Sequence, residues 1–87
     1  MPTVRPGRPD DGPRLHAIQS ASLAEPWPEL LDLALDDGPI LRVVETDEPV
    51  GYAIALAAEA TLAYVPELAV DPAVQGQGHG MRLLDAL

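Results

Sequence analysis

The sequence predicts an α/β domain, a mixed, mainly antiparallel four-stranded sheet with helices packed on it. Three observations carry this. Residues 50–58 alternate large and small apolar side chains and residues 61–70 form a second apolar run, as strands covered on both faces do. Ahead of them, Leu15 and Ile18, then Leu30, Leu31, Leu33 and Leu35, recur at helical spacing. Finally, the run from Leu68 to Leu84 reads as a strand end, a short turn, a glycine-rich loop and the opening of an amphipathic helix.

Residues 3–5 suit a short first strand, and Pro6-Gly7-Arg8-Pro9 a turn. Asp10 or Asp11 is placed to cap a first helix with Pro13 in its first turn. Leu15, Ile18 and Ser22 share one stripe of that helix, and Glu25-Pro26-Trp27-Pro28 breaks it. A second helix from Glu29 to Asp36 is apolar on most sides, and Asp37-Gly38-Pro39 ends it. Ile40 to Glu45 is the next strand, Thr46-Asp47-Glu48-Pro49 a hairpin turn, and Val50 to Ala58 its partner. Along that partner Val50, Tyr52, Ile54 and Leu56 fall on one face and Gly51, Ala53, Ala55 and Ala57 on the other, where small side chains admit a close helix. Thr61 to Val70 is the fourth strand. Pro66 removes a ladder donor within it, which predicts a bulge.

At 87 residues the chain suffices for one small domain, burying roughly 60–65% of its unfolded surface. It has no Phe, so Leu, Val and Ile must build the core. No apolar run approaches the roughly 20 residues of a membrane span, and the N-terminus, with Pro2, Arg5, Pro6 and Arg8, lacks the apolar segment of a signal peptide. The absence of cysteine excludes disulfides, thiolate metal sites and cysteine nucleophiles. A cytoplasmic protein is expected. Fourteen acidic residues stand against five arginines and no lysine, a net charge of −9. Such a surface repels nucleic acid and anionic membranes. Two origins for it stay open: an acidic composition without functional meaning, and adaptation to high salt, where the screening length falls to about 3 Å at 1 M.

The glycine-rich loop carries the chemistry. A helix start leaves backbone N–H groups unpaired at the positive end of the helix dipole, and Gly76, Gly78 and Gly80 remove the β-carbons that would hold an anion away. The string resembles the acetyl-CoA signature of the GNAT superfamily of N-acetyltransferases, Gln/Arg-x-x-Gly-x-Gly/Ala, met here by Gln75, Gly78 and Gly80. Thr3-Val4-Arg5-Pro6 with Asp10-Asp11, and Glu48-Pro49-Val50-Gly51-Tyr52-Ala53, extend the resemblance upstream. It implies an incomplete acyl-CoA N-acyltransferase fold, residues 1–87 being its N-terminal part, because family members continue past the helix in which this sequence stops with a fifth strand, a further helix and a final strand pair. It implies transfer of acetyl from acetyl-CoA, as co-substrate, to a primary amine on a small molecule or a protein N-terminus. The backbones of Leu68, Ala69 and Val70 would hold the pantetheine arm, with the Leu68 N–H polarising the thioester carbonyl. The amides of Gln75, Gly76, Gln77, Gly78, His79 and Gly80 would take the pyrophosphate. The competing readings are a non-catalytic half-domain that binds CoA or pairs with another subunit, and a chain whose activity resides in a longer protein. An unpaired edge on the strand ending at Val70 predicts a homodimer or other self-association.

A dinucleotide-binding loop is the chemical rival. It needs Gly-x-Gly-x-x-Gly, and reading from Gly76 or Gly78 the third position is Met81 or Leu83. A P-loop is excluded by the lack of lysine. Glu67, the one carboxylate embedded in the strand before the loop, is placed to take a proton from the amine, directly or through water; otherwise it is a salt-bridged or half-exposed strand glutamate. His79 is expected to face solvent more readily than to donate to a phosphate, and His16 to be a surface or half-buried residue. Arg82 either reaches a CoA phosphate or pairs with Asp85. Trp27 is expected to pack, or else to line the acceptor side as that segment does in the resembling family.

Overall fold

A computed structural model describes residues 2–36, 39–59 and 62–86. The expected helix stop at Asp37-Gly38 and the expected strand start at Thr61 lie outside them. Strand β1 (Thr3–Pro6) leads through a 3-10 turn at Pro9–Asp11 into α1 (Gly12–Ser22) and α2 (Pro28–Asp36). Strands β2 (Ile40–Glu45), β3 (Pro49–Glu59) and β4 (Leu62–Val70) follow, and a second 3-10 turn at Pro72–Val74 leads to α3 (His79–Asp85). The sheet order is β1-β2-β3-β4, and all three pairings are antiparallel.

The sheet is covered on both faces, as the double apolar pattern of β3 requires. Leu15 and Ile18 of α1 and Leu30 and Leu31 of α2 pack on Leu41, Val43, Tyr52, Ile54 and Ala69. Leu83 of α3 packs on Val44, Val50 and Ala53 on the opposite face. Ala53 is the small residue that lets this short helix sit close. Val50 departs from its expected place beside Tyr52 and Ile54. The β2–β3 register steps from Val44↔Gly51 to Glu45↔Pro49, so Val50 is an extra residue and turns to the α3 face. The bulge foreseen at Pro66 is present: β3 advances two residues from Ile54 to Leu56 while β4 retreats three from Glu67 to Tyr64.

The α1 start also differs from expectation. Asp11 occupies the cap position, but its carboxylate makes no bond to the helix amides. It turns back to accept both Arg5 Nη atoms, at 2.9 and 2.7 Å, and the Arg8 N–H at 2.8 Å. A charged fork outcompetes a neutral amide for the same oxygens. Arg5 also reaches Glu45 at 2.9 Å, tying β1 to β2. The chain between the helices carries Trp27, whose carbonyl accepts the Leu30 and Leu31 amides and so starts α2. Trp27 is 53% exposed, so the packing role expected of it is not met.

Candidate active site

The site is built at the C-terminal end of β4. The Asp71 N–H donates to the Val50 carbonyl at 2.7 Å, which fixes the parity of the ladder. Residues 67, 69 and 71 spend their backbone groups on β3, and Leu68 and Val70 turn theirs toward the outer edge. The Val70 carbonyl there accepts Gln75 Nε2 at 3.0 Å, folding the loop back on the strand. Asp71 holds the corner: its carboxylate accepts the Ala73 N–H at 3.0 Å and Arg14 Nη2 at 2.7 Å. The Ala73 amide first, and then the Arg14 guanidinium, keep the Asp71 carboxyl below the usual carboxylate range. Arg14 Nε also donates to the Pro49 carbonyl, at 2.9 Å, so α1, β3 and the corner are locked together.

The loop that follows runs through two left-handed residues, Gly76 at φ 87° and Gly78 at φ 83°. Both conformations favour glycine. A β-carbon at Gly76 would meet nothing within 4 Å, so the backbone there is open to an approaching ligand. Gly80 is different, since a β-carbon there would make ordinary contact with Leu68. A cavity of about 290 Å³ lies between this loop, the β4 edge from Leu68 to Val70, and Ser22 and Leu23 at the end of α1. Gln75, Gly76, Gly78, His79 and Gly80 line it; Gln77 does not, and its carbonyl accepts Arg82 Nη1 at 3.1 Å.

His79 is 3% exposed and not turned to solvent as expected. As the first residue of α3 it precedes the buried Leu83 by four and shares its inward face. Its Nδ1 and the Ser22 Oγ are buried without a hydrogen-bond partner, and both residues line the cavity.

Glu67 sits deeper, on the α1 face, and is 7% exposed. It is neither salt-bridged nor half-exposed. Its Oε1 accepts Gln19 Nε2 and the Tyr52 hydroxyl, both at 2.6 Å, and its Oε2 accepts the Trp27 N–H at 3.3 Å. Burial, followed by the bond to Glu67, pushes the Tyr52 phenol far up, so it stays protonated and donates.

The model of the Acetyltransferase (GNAT) family matches residues 10–87. The chain belongs to that family. The crystal structure of the ribosomal-protein-S18-alanine N-acetyltransferase from Escherichia coli superposes with a TM-score of 0.83 at 26% identity, covering 99% of this chain and 56% of that one. The solution structure of apo YjaB from Escherichia coli gives 0.69 at 29% identity, over 99% and 63%. The GNAT chain described here thus spans less than two thirds of either protein. No curated protein matches it.

Of the residues singled out in the sequence, Leu68, Ala69, Val70, Gln75, Gly76, Gly78, His79 and Gly80 meet around one cavity in this GNAT domain, and Glu67 and Gln77 stand outside its lining. Ser22, Gln19 and Tyr52 were not foreseen as site residues. Gln19 had a signal, because it follows Leu15 by four and so shares the buried stripe of α1. His16 is half-buried with Nε2 2.7 Å from Asp32, clear of this site. Among the described residues Arg82 makes no ion pair with Asp85.

Proposed function

We propose that this GNAT protein transfers acetyl from acetyl-CoA to a primary amine. The observation that carries the reading is the outward turn of the Leu68 and Val70 backbone groups onto the same cavity as the glycine loop. A strand edge of this kind hydrogen-bonds an extended amide-bearing chain as a further strand would. The pantetheine arm of acetyl-CoA has that chemistry, and its diphosphate suits the loop amides of residues 75–80, which no β-carbon obstructs at Gly76. The unpartnered Nδ1 of His79 is a further polar contact for the bound molecule.

The Leu68 N–H polarises the thioester carbonyl, a donor already aimed where negative charge develops. The amine nitrogen attacks that carbon, the C–N bond forms, the C–S bond breaks and the CoA thiolate leaves. Glu67 takes the ammonium proton, directly or through a water. The neighbour named for an alanine of ribosomal protein S18 makes a protein amine one acceptor to assay, beside small-molecule amines. We place the protein in the cytoplasm; among the described residues no helix is long and apolar enough to cross a membrane. The outer side of β4 is also open to a second copy, so self-association competes with the ligand for one edge. In the high-salt reading of the acidic surface, stability rises from low to molar KCl; a flat profile eliminates it.

Thermal unfolding with acetyl-CoA tests the core of the reading. At a hundredfold excess over Kd, binding adds about 2.7 kcal/mol, which raises Tm by roughly 10–20 °C in a domain of this size. An unchanged Tm at millimolar acetyl-CoA refutes it. A rise without turnover of any amine assigns the chain to CoA binding alone.

A further inference from the structure

Glu67 is the one described carboxylate that is buried without a cationic partner. The ion pairs of Arg5, Arg8 and Arg14 go to Asp11, Glu45, Asp10, Glu48 and Asp71, and His16 on α1 turns to Asp32. What faces Glu67 is neutral and comes from separate elements: the Tyr52 hydroxyl from β3, the Gln19 amide from α1 and the Trp27 N–H from the α1–α2 connection. The distribution over its two oxygens is lopsided. Oε1 holds two donors at 2.6 Å, which uses up its in-plane lone pairs, and Oε2 has a single long contact at 3.3 Å. Tyr52 and Gln19 are 0% and 1% exposed, so both donors are shielded from solvent.

We propose that Tyr52 and Gln19 are positioning residues that pin Oε1 of Glu67 and leave Oε2 as the oxygen that accepts the proton of the acceptor amine; this deepens, and rests on, the reading of Glu67 as the base. In that step an ammonium N–H bond breaks and an O–H bond forms at Oε2, while the freed nitrogen pair makes the bond to the thioester carbon. Neutral donors suit the task. A guanidinium in their place would compete with the proton for the carboxylate. Tyr52 itself gives up no proton, because its buried phenol stays protonated.

The test labels glutamate side chains with carboxyl carbon-13 and identifies Glu67 by the resonance lost in Glu67→Gln. That resonance is followed through acid titration in the wild type, Tyr52→Phe and Gln19→Met. Each variant removes a donor that favours the ionised carboxyl, so the resonance is expected to move at a pH higher by about half a unit or more. In the folded variants the limb of the pH–rate profile that reports the base is expected to move with the resonance, a readout that a tie serving stability alone would leave in place. If one variant does not fold, the other decides. An unchanged titration in every folded variant overturns the proposal. Failure of the base reading has a different mark: Glu67→Gln would keep full acetyl transfer at low and high pH alike, whatever the resonance does.

Discussion

Gly51 is a tight point of the sheet beneath the site, and its replacement by alanine has a predictable sign. The position sits between Val44 of β2 and Val70 of β4. It is not among the left-handed glycines, so alanine fits the backbone, and in a strand that exchange alone would favour the fold by roughly 0.5–1 kcal/mol. Space decides otherwise. The new β-carbon would lie 2.9 Å from the Ala69 carbonyl oxygen, 3.1 Å from Val44 Cγ1 and 3.3 Å from Val70 Cγ2. The first of these is backbone, held in the ladder, and cannot swing aside. Inserting a methyl into a packed core costs about 1–3 kcal/mol, which leaves a net loss near 1–2 kcal/mol after the backbone gain. In a domain of this size that lowers Tm by roughly 4–16 °C. The atom struck belongs to the residue between Leu68 and Val70, so the stabilisation by acetyl-CoA should shrink with it. Urea unfolding of Gly51→Ala, with and without acetyl-CoA, measures both. Wild-type stability or better would refute the close apposition of β3 and β4 on which the outward edge of β4 depends.

Leu83 is fully buried and is the apolar anchor of α3, so Leu83→Ala should cost about 2–5 kcal/mol and reduce both helical circular dichroism and the response to acetyl-CoA. Gly78→Ala forces a side chain to φ 83°, a strain of about 1–2 kcal/mol; isothermal titration should show weaker acetyl-CoA binding, and unchanged affinity would argue against backbone contact at the loop. The Arg5 guanidinium first, outweighing burial, holds the Asp11 carboxyl below its unfolded value. The contribution is therefore full above the unfolded pKa of about 4 and is lost as pH falls through the depressed folded value. Asp11→Asn should lower neutral-pH stability by about 1–3 kcal/mol and flatten the acid limb of the stability profile measured from pH 7 to 2.

Local pattern was readable where one rule governed. Strand β2 runs from Ile40 to Glu45 as its composition suggests, and the β3–β4 register breaks beside Pro66, where the sequence pointed to a bulge. The glycine loop was readable because it packs glycines where the backbone turns left-handed. Prediction failed where tertiary contacts outvoted the pattern. Period-two alternation put Val50 with Tyr52, but an extra residue opposite β2 reversed its face. Asp11 looked like a helix cap until Arg5, six residues away, took both its oxygens. His79 read as a loop residue, whereas the helix begins at it and turns it inward. The donors around Glu67 lie 15, 40 and 48 residues away, beyond any short-range pattern.

The strands stand side by side in the order in which they are synthesised. The β2–β3 and β3–β4 connections are short, whereas β1 reaches β2 only across the two helices α1 and α2, so the first pairing carries the larger loop-closure cost. The late and distant event is the meeting of Arg14 with Asp71, 57 residues on. A chain stopped before β4 lacks Asp71, the strand edge and the glycine loop together, and with them every wall of the binding mouth except the end of α1.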